Sequence, residues 1–330
     1  MYIESTLNTG FLFLKIYFTR QLKIDIFMNK IDIINKIKNL KQEKNAVILA
    51  HCYQNIEVDE VADFVGDSLS LSQQAAKTDA DIIIFAGVFF MAETAKILSP
   101  QKKVILPRLE SGCLMADMIN ASELRAFKSQ YPGAPVVCYV NSTAEVKAES
   151  DICCTSANAI KVVQSLTDKR ILFVPDCGLG AYVASQTPNK EIICYSGYCP
   201  THMRIRPEGI IKKKEKYPEA EILVHPECHT SVINLADFVG STSGIMKRVK
   251  ESNSKVFIIA TEKGVVDRLQ RDYPEKIFII ASEKAVCENM KWTTLEDILI
   301  SLETEQPAIT VDKHIAEKAF ITIDKMLKII

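Results

Sequence analysis

The chain has 330 residues, of which 48% are hydrophobic and 25% charged, so its composition is that of a globular protein and excludes a disordered one. Its formal net charge is −1, from 40 basic and 41 acidic residues, which argues against a nucleic-acid-binding protein. No apolar stretch reaches the roughly 18 residues that span a bilayer, and no secretory signal is recognisable. We therefore expect a cytoplasmic enzyme or binding protein with no membrane or nucleic-acid partner.

Continuous apolar runs along the chain are typical of parallel strands that are buried on both faces. These runs form three sets, each with three members spaced along the chain. The runs of the first set, at residues 47–53, 136–141 and 222–227, end in polar side chains. Two further sets follow, at 82–85, 171–174 and 256–259, and then at 104–106, 192–194 and 277–280. Apolar residues at helical spacing between the runs predict helices, for example at 57–78 and 91–98. Strands that alternate with helices predict parallel α/β/α sheets.

Three sets of polar markers recur with a common period of about 87 residues. His51, Tyr139 and His225 lie 88 and 86 residues apart at the ends of the first strands. Cys113, Cys199 and Cys287 lie 86 and 88 residues apart, in the loops after the third strands. A third set, separated by 88 and 85 residues, comprises Ser68, Ser156 and Ser241. The period predicts three α/β/α domains with the limits 29–114, 115–200 and 201–309, after an N-terminal extension at 1–28, with a C-terminal helix at 310–330 packing back on the first domain.

The three cysteines become a candidate metal site if the domains pack about a pseudo-threefold axis. Ligands of open α/β sheets bind beyond the carboxyl ends of the strands, so these edges would enclose one central cavity. Three thiolates with His202 nearby would suit zinc. An iron–sulfur cluster held by three thiolates would instead leave one iron open as a Lewis acid. The spacing alone leaves both alternatives open beside ordinary buried thiols.

Ten short motifs in order resemble the quinolinate synthase family. They are AHCYQ (50–54), VADFVGDS (61–68), FMAETAK (90–96), GCLMAD (112–117), YVNS (139–142), PDCGLG (175–180), GYCPTH (197–202), HPEC (225–228), GSTSG (240–244) and CENMKWTTL (287–295). Together they span about residues 28 to 299.

The resemblance implies a transferase of NAD biosynthesis that makes quinolinate from iminoaspartate and dihydroxyacetone phosphate, releasing phosphate and two waters. It implies one 4Fe–4S cluster per chain, bound by Cys113, Cys199 and Cys287, with one open iron. It also implies a functional link to an aspartate-oxidising enzyme, which would supply the unstable iminoaspartate. The family fold is three pseudo-threefold α/β/α domains, as the period predicts.

The resemblance assigns catalytic roles to four side chains, namely Glu227, His51, Tyr53 and His202. It assigns substrate contacts to His51, Ser68, Tyr139, Asn141, Ser156, His225, Glu227, Ser241 and Thr242. Taken alone, the serines and Thr242 also suit helix N-caps. Two other functions stay open at this point: a different 4Fe–4S dehydratase that acts on a small hydroxy acid, and a non-catalytic iron–sulfur sensor. For Cys153, Cys154 and Cys177, simple burial is the favoured interpretation.

Overall fold

The computed structural model describes residues 28–329, so the expected N-terminal extension lies outside the described residues except for Met28. Three parallel four-stranded sheets form the frame, and all three have the same strand order. The first sheet has the order β2-β1-β3-β4, with β1 (Ala46–His51), β2 (Phe64–Gly66), β3 (Ile82–Ala86) and β4 (Lys103–Ile105). The second has the order β6-β5-β7-β8, with β5 (Val136–Tyr139), β6 (Ile152–Cys154), β7 (Arg170–Val174) and β8 (Glu191–Cys194). The third has the order β10-β9-β11-β12, with β9 (Glu221–Val224), β10 (Phe238–Val239), β11 (Val256–Ala260) and β12 (Ile277–Ile280).

Helices connect the strands and cover the sheets. Those of the first sheet are α1 (Lys30–Glu43), α2 (Ser68–Lys77) and α3 (Phe89–Leu98). The second sheet follows with α4 (Ala121–Ser129), α5 (Ala144–Ala148), α6 (Ala159–Ser165) and α7 (Cys177–Gln186). The third has α8 (Pro200–Met203), α9 (Pro207–Lys216), α10 (Thr230–Ile233), α11 (Thr242–Glu251), α12 (Lys263–Asp272) and α13 (Glu288–Lys291). The chain ends in α14 (Leu295–Thr304) and α15 (Lys313–Leu327). The predicted α/β class with three parallel sheets is confirmed.

Each sheet also contains a short edge strand that the sequence did not reveal. β2, β6 and β10 have only two or three residues, too few to show a periodic pattern. The prediction of one helix over residues 57–78 is wrong, because β2 interrupts this segment. That segment is a 3₁₀ turn at Ile56–Glu60, then β2, and then α2, which begins after Asp67 because the Asp67 carboxylate accepts a hydrogen bond from the Ser70 N–H.

The C-terminal helices differ from the expected arrangement. α14 packs on α1 and β3, and the Ile309 N–H donates to the Val104 carbonyl, so residues 295–309 pack on the first unit and not on the third. α15 packs mainly on α5 and β6 of the second sheet, and more lightly on α3 of the first. Its buried face carries Ala319, Ile323 and Met326, which belong to a hydrophobic cluster shared by the three units. We therefore propose domain limits of 29–114, 115–200 and 201–294, with residues 295–309 belonging to the first domain.

One buried arginine joins the third unit to the first. Arg268 of α12 is almost fully buried, and its guanidinium donates to the carbonyls of Cys52 (2.8 Å) and Gln54 (3.0 Å). It also forms an ion pair of 2.5 Å with Asp59. Removing the guanidinium takes the donor from two buried carbonyls and one of two cationic partners from Asp59, which costs far more than losing an exposed pair.

Arg268→Met is therefore expected to lower the free energy of unfolding by about 3–5 kcal/mol. The control is Arg271→Met, because Arg271 contacts the same Asp59 carboxylate at 2.8 Å but is 46% exposed. That variant should lose less than about 1 kcal/mol. Urea unfolding followed by circular dichroism measures both. Equal losses in the two variants would contradict the role of Arg268 as the joint between the units.

Candidate functional site

The carboxyl ends of the three sheets enclose one cavity, which we call the central cavity. Its wall includes all but one of the side chains predicted from the sequence, namely His51, Tyr53, Ser68, Cys113, Tyr139, Asn141, Ser156, Cys199, His202, His225, Glu227, Thr242 and Cys287. The exception is Ser241, which is not part of the wall. Its hydroxyl instead accepts a hydrogen bond from the Gly244 N–H (3.2 Å) and caps α11.

Of the three marker serines, which the sequence also suits to helix N-caps, only Ser241 caps a helix. Asp67, not Ser68, caps α2, and Ser156 lies in a turn closed by Thr155 and Asn158. The side-chain oxygen of Asn158 accepts the Thr155 N–H at 2.8 Å, which leaves the Ser156 hydroxyl on the cavity wall. Ser68 and Ser156 thus line the cavity at the start of a helix and of a turn, and neither hydroxyl caps a helix.

The three marker cysteines lie in equivalent loops, after β4, β8 and β12. Burial raises the pKa of Cys113 to about 12 and that of Cys287 to about 11, and it raises the pKa of Cys199 well above its usual value. In each loop the backbone N–H three residues later (Ala116, His202 and Met290) opposes this rise by donating to the sulfur. A charge on Cys287 raises the pKa of Cys113, and a charge on Cys113 raises that of Cys199, so the three thiols are electrostatic neighbours.

These thiols suit a metal group larger than a single ion. Metal binding would displace the thiol protons that burial retains, and the three N–H donors would stabilise the resulting thiolates. Within residues 28–329, only the ligand atoms of Cys199, His202 and Glu227 form a metal-binding trio within 4.8 Å of one another. At least one pair of the three marker sulfurs is therefore more than 4.8 Å apart, farther than ligand atoms of this trio lie from one another.

Glu227 and His202 form a buried pair beside Cys199. His202 Nδ1 is 2.6 Å from Glu227 Oε2 and 3.2 Å from Cys199 Sγ. Burial acts to raise the pKa of Glu227, but His202, His225 and the Tyr139 hydroxyl outweigh it and lower that pKa to about 2. The carboxylate is thus charged, and a charged acceptor at this distance makes a strong hydrogen bond with the ring N–H.

A continuous chain of hydrogen bonds leads from this pair to Tyr53. His202 Nε2 lies 3.0 Å from the Thr261 hydroxyl, which is 3.1 Å from the Tyr53 hydroxyl. Tyr53 also contacts the Thr242 hydroxyl at 3.1 Å. Because a hydroxyl both donates and accepts, Thr261 is able to follow a proton shift at either neighbour. The carboxylate, imidazole and phenol therefore form one hydrogen-bonded network.

Thr261 and the next residue, Glu262, were missed in the sequence. They directly follow β11, a strand end that the periodic markers do not include. Their only sequence signal is that two polar residues come directly after an apolar run. Glu262 is fully buried, and its carboxylate accepts the Cys287 N–H (3.2 Å) and lies 3.4 Å from the Lys291 ammonium. It thereby holds the Cys287 loop against the end of β11.

The remaining polar groups on the wall are largely uncharged. Burial lowers the pKa of His51 to about 4 and that of His225 to about 3, so both imidazoles are neutral at pH 7. Arg204 is the only arginine or lysine among the described residues that line the cavity. The buried Asn141 Oδ1 has no hydrogen-bond partner within residues 28–329. Since an unpaired buried polar atom costs about 1–3 kcal/mol, it indicates a surface built for a polar ligand.

Comparison of the amino-acid sequence with known proteins identifies its family. The family model described as Quinolinate synthetase A protein matches residues 35–328. The chain belongs to the quinolinate synthetase A family. The protein named quinolinate synthase of Alkaliphilus metalliredigens (strain QYMF) is 56% identical over 302 residues, which are 92% of this chain and all of that protein. The one of Dehalococcoides mccartyi (strain CBDB1) is 54% identical over 298 residues, 90% of this chain and 98% of that protein. The one of Geobacter sp. (strain M21) is 52% identical over 293 residues, 89% and 96% of the two chains.

Membership of the quinolinate synthetase A family makes the chain an enzyme, as the dense set of proton-transferring groups in the cavity suggests. Within residues 28–329, no helix combines the length and apolar character needed to cross a membrane. Cys153 and Cys154 are fully buried in β6, and Cys177 is partly exposed at the start of α7. None of these three cysteines lines the central cavity.

Proposed function

We propose that the chain is a quinolinate synthase, a transferase that condenses iminoaspartate with dihydroxyacetone phosphate to quinolinate, phosphate and two waters. The observation that carries the proposal is the convergence of three loop cysteines and one acid–base network on a single cavity. The family relationship favours this function over a different dehydratase or a sensor. Because iminoaspartate is unstable in water, an aspartate-oxidising enzyme would have to supply it.

Cys113, Cys199 and Cys287 would hold a 4Fe–4S cluster. Bound by three thiolates, such a cluster supplies one iron with an open position, which acts as a Lewis acid towards a substrate oxygen. Glu262 supports this arrangement because it fixes the backbone of Cys287 at 3.2 Å. The N–H donors that follow each cysteine would keep the sulfurs in their charged form.

Proton transfer would fall to the Glu227–His202 pair. Forming the new ring requires removal of a proton from a carbon next to an imine or carbonyl, and departure of water requires delivery of a proton to oxygen. Glu227 would accept the first proton and become neutral, and His202 Nδ1, 2.6 Å from Oε2, would stabilise the carboxylate before that transfer and hold the side chain in place. The Tyr53 hydroxyl, held by Thr242 and Thr261, would position the triose-derived part together with His51.

Neutral donors would bind the two carboxylates and the phosphate. The groups available on the wall are those of Ser68, Tyr139, Asn141, Ser156, His225 and Thr242. Arg204, held by the carbonyls of Lys284 (3.4 Å) and Val286 (3.2 Å), adds a permanent positive charge. Ser241 would contribute through the α11 cap and not by direct contact.

Replacing any one of the three loop cysteines should remove the cluster and the activity, because a cluster with two protein ligands is not held. Anaerobically purified Cys113→Ser, Cys199→Ser and Cys287→Ser would be tested by iron and sulfide analysis and by quinolinate formation. The control is Cys177→Ser, whose thiol does not line the cavity and which should keep both. Four irons per chain in all three variants would end the cluster proposal.

Glu227→Gln should retain the cluster yet lower kcat by at least about 10²-fold, the usual contribution of a general acid–base group. The amide has nearly the same shape as the carboxylate but does not accept the proton. Steady-state quinolinate formation measures the rate, and iron analysis verifies that the cluster is present. A rate close to that of the wild type would remove Glu227 from the mechanism.

Thr261→Val should lower kcat by about 10–100-fold, because it deletes two hydrogen bonds of about 0.5–1.5 kcal/mol each in the network. Thr261→Ser keeps the hydroxyl and should restore most of the rate. Thr293→Val serves as a control for the substitution itself, since Thr293 is fully buried and its hydroxyl has no hydrogen-bond partner within residues 28–329. A purely structural role of Thr261 would instead lower thermal stability while leaving the kcat of the folded enzyme unchanged.

A further inference from the structure

A second metal-binding arrangement overlaps the three-cysteine site. The ligand atoms of Cys199, His202 and Glu227 all lie within 4.8 Å of one another, and this is the one such trio within residues 28–329. His202 Nδ1 is at its centre, 3.2 Å from Cys199 Sγ and 2.6 Å from Glu227 Oε2. The other two marker cysteines do not belong to the trio.

The donor set fits a zinc ion. Zn²⁺ binds thiolate, imidazole and carboxylate, and sites with three protein ligands leave a fourth position for water. At normal zinc bond lengths, tetrahedral ligand atoms lie about 3.3–3.6 Å apart. The two distances from His202 Nδ1, 3.2 Å to Cys199 Sγ and 2.6 Å to Glu227 Oε2, are within about 1 Å of these values. The three marker sulfurs, in contrast, do not all lie within 4.8 Å of one another.

The surroundings of His202 match those of a metal-ligating histidine. Such a histidine almost always donates its second N–H to an oxygen acceptor, which fixes the ring and its tautomer. Here Nε2 lies 3.0 Å from the hydroxyl of Thr261, which is fully buried and able to accept this hydrogen bond. The His225 ring stacks on His202 with centroids 4.6 Å apart, which restricts its rotation.

We propose that the cluster-free chain binds one Zn²⁺ through Cys199, His202 and Glu227, at a site that shares only Cys199 with the three-cysteine site. Binding of the ion releases the proton shared by His202 and Glu227 and that of the Cys199 thiol. Because Cys199 belongs to both sites, zinc and the cluster exclude each other. This exclusion rests on the cluster proposal, whereas zinc binding itself does not.

The test uses the full-length chain prepared without its cluster. Co²⁺ serves as a spectroscopic probe of the site, and the Zn²⁺ affinity is measured by competition with a chromogenic chelator. We expect one ion per chain, with the visible spectrum of tetrahedral Co²⁺ and a charge-transfer band for a single thiolate. Absence of stoichiometric binding would overturn the proposal.

Variants separate the two sites. Cys199→Ser, His202→Gln and Glu227→Gln should each weaken Zn²⁺ binding by at least about 10-fold, while Cys113→Ser and Cys287→Ser should stay within about 3-fold of the wild type. Loss of binding in all three cysteine variants, with Glu227→Gln unaffected, would place zinc on the three thiols and refute the proposal. Thr261→Val retains every ligand but removes the acceptor for His202, and should weaken binding by about 10–100-fold.

Competition with the cluster is measured separately. Cluster-free protein preloaded with Zn²⁺ should fail to take up iron and sulfide until a chelator is added. Simultaneous retention of zinc and four irons would overturn the exclusion. Zinc binding does not require turnover, so a chain that binds zinc as described but forms no quinolinate would count against the proposed function alone.

Discussion

The architecture of this protein depends on the geometry of parallel sheets. In each sheet the two central strands are buried on both faces, so side chains capable of chemistry can stand only beyond the strand ends. All strands of a parallel sheet end at the same edge, where ligands of α/β proteins bind. With three such edges around one cavity, residues about 87 positions apart in sequence become neighbours, as Cys113, Cys199 and Cys287 do.

Burial gives the central cavity its electrostatic character. Away from water, His51 and His225 are more stable neutral than charged, and unpaired thiols retain their protons. Glu227 stays charged there because its hydrogen-bond partners outweigh the cost of burial. The same low dielectric strengthens each link of the network from Glu227 to Tyr53, which includes residues of the first and third units. Arg268 joins these two units through the Cys52 carbonyl.

Part of the site could be predicted from the sequence, because apolar runs and the polar residues that follow them are local patterns. Long apolar runs revealed nine of the twelve strands within residues 28–329, and polar residues in the loops after strands revealed about half of the cavity wall. The short edge strands have too few residues for a pattern, and with them the true start of α2 was missed. Thr261 was missed because a single threonine after a strand resembles any other turn residue until its partners are known.

The fold class, the threefold period and the three cysteine loops were readable from the amino-acid order, because burial and backbone hydrogen bonding act over a few neighbouring residues and leave a periodic pattern. Which side chains share hydrogen bonds, such as Thr261 between His202 and Tyr53, became visible only in the folded chain. The same is true of the packing of residues 295–309 on the first unit and of α15 mainly on the second. Contacts between distant segments depend on distances and orientations in space, and these have no counterpart in the order of residues along the chain.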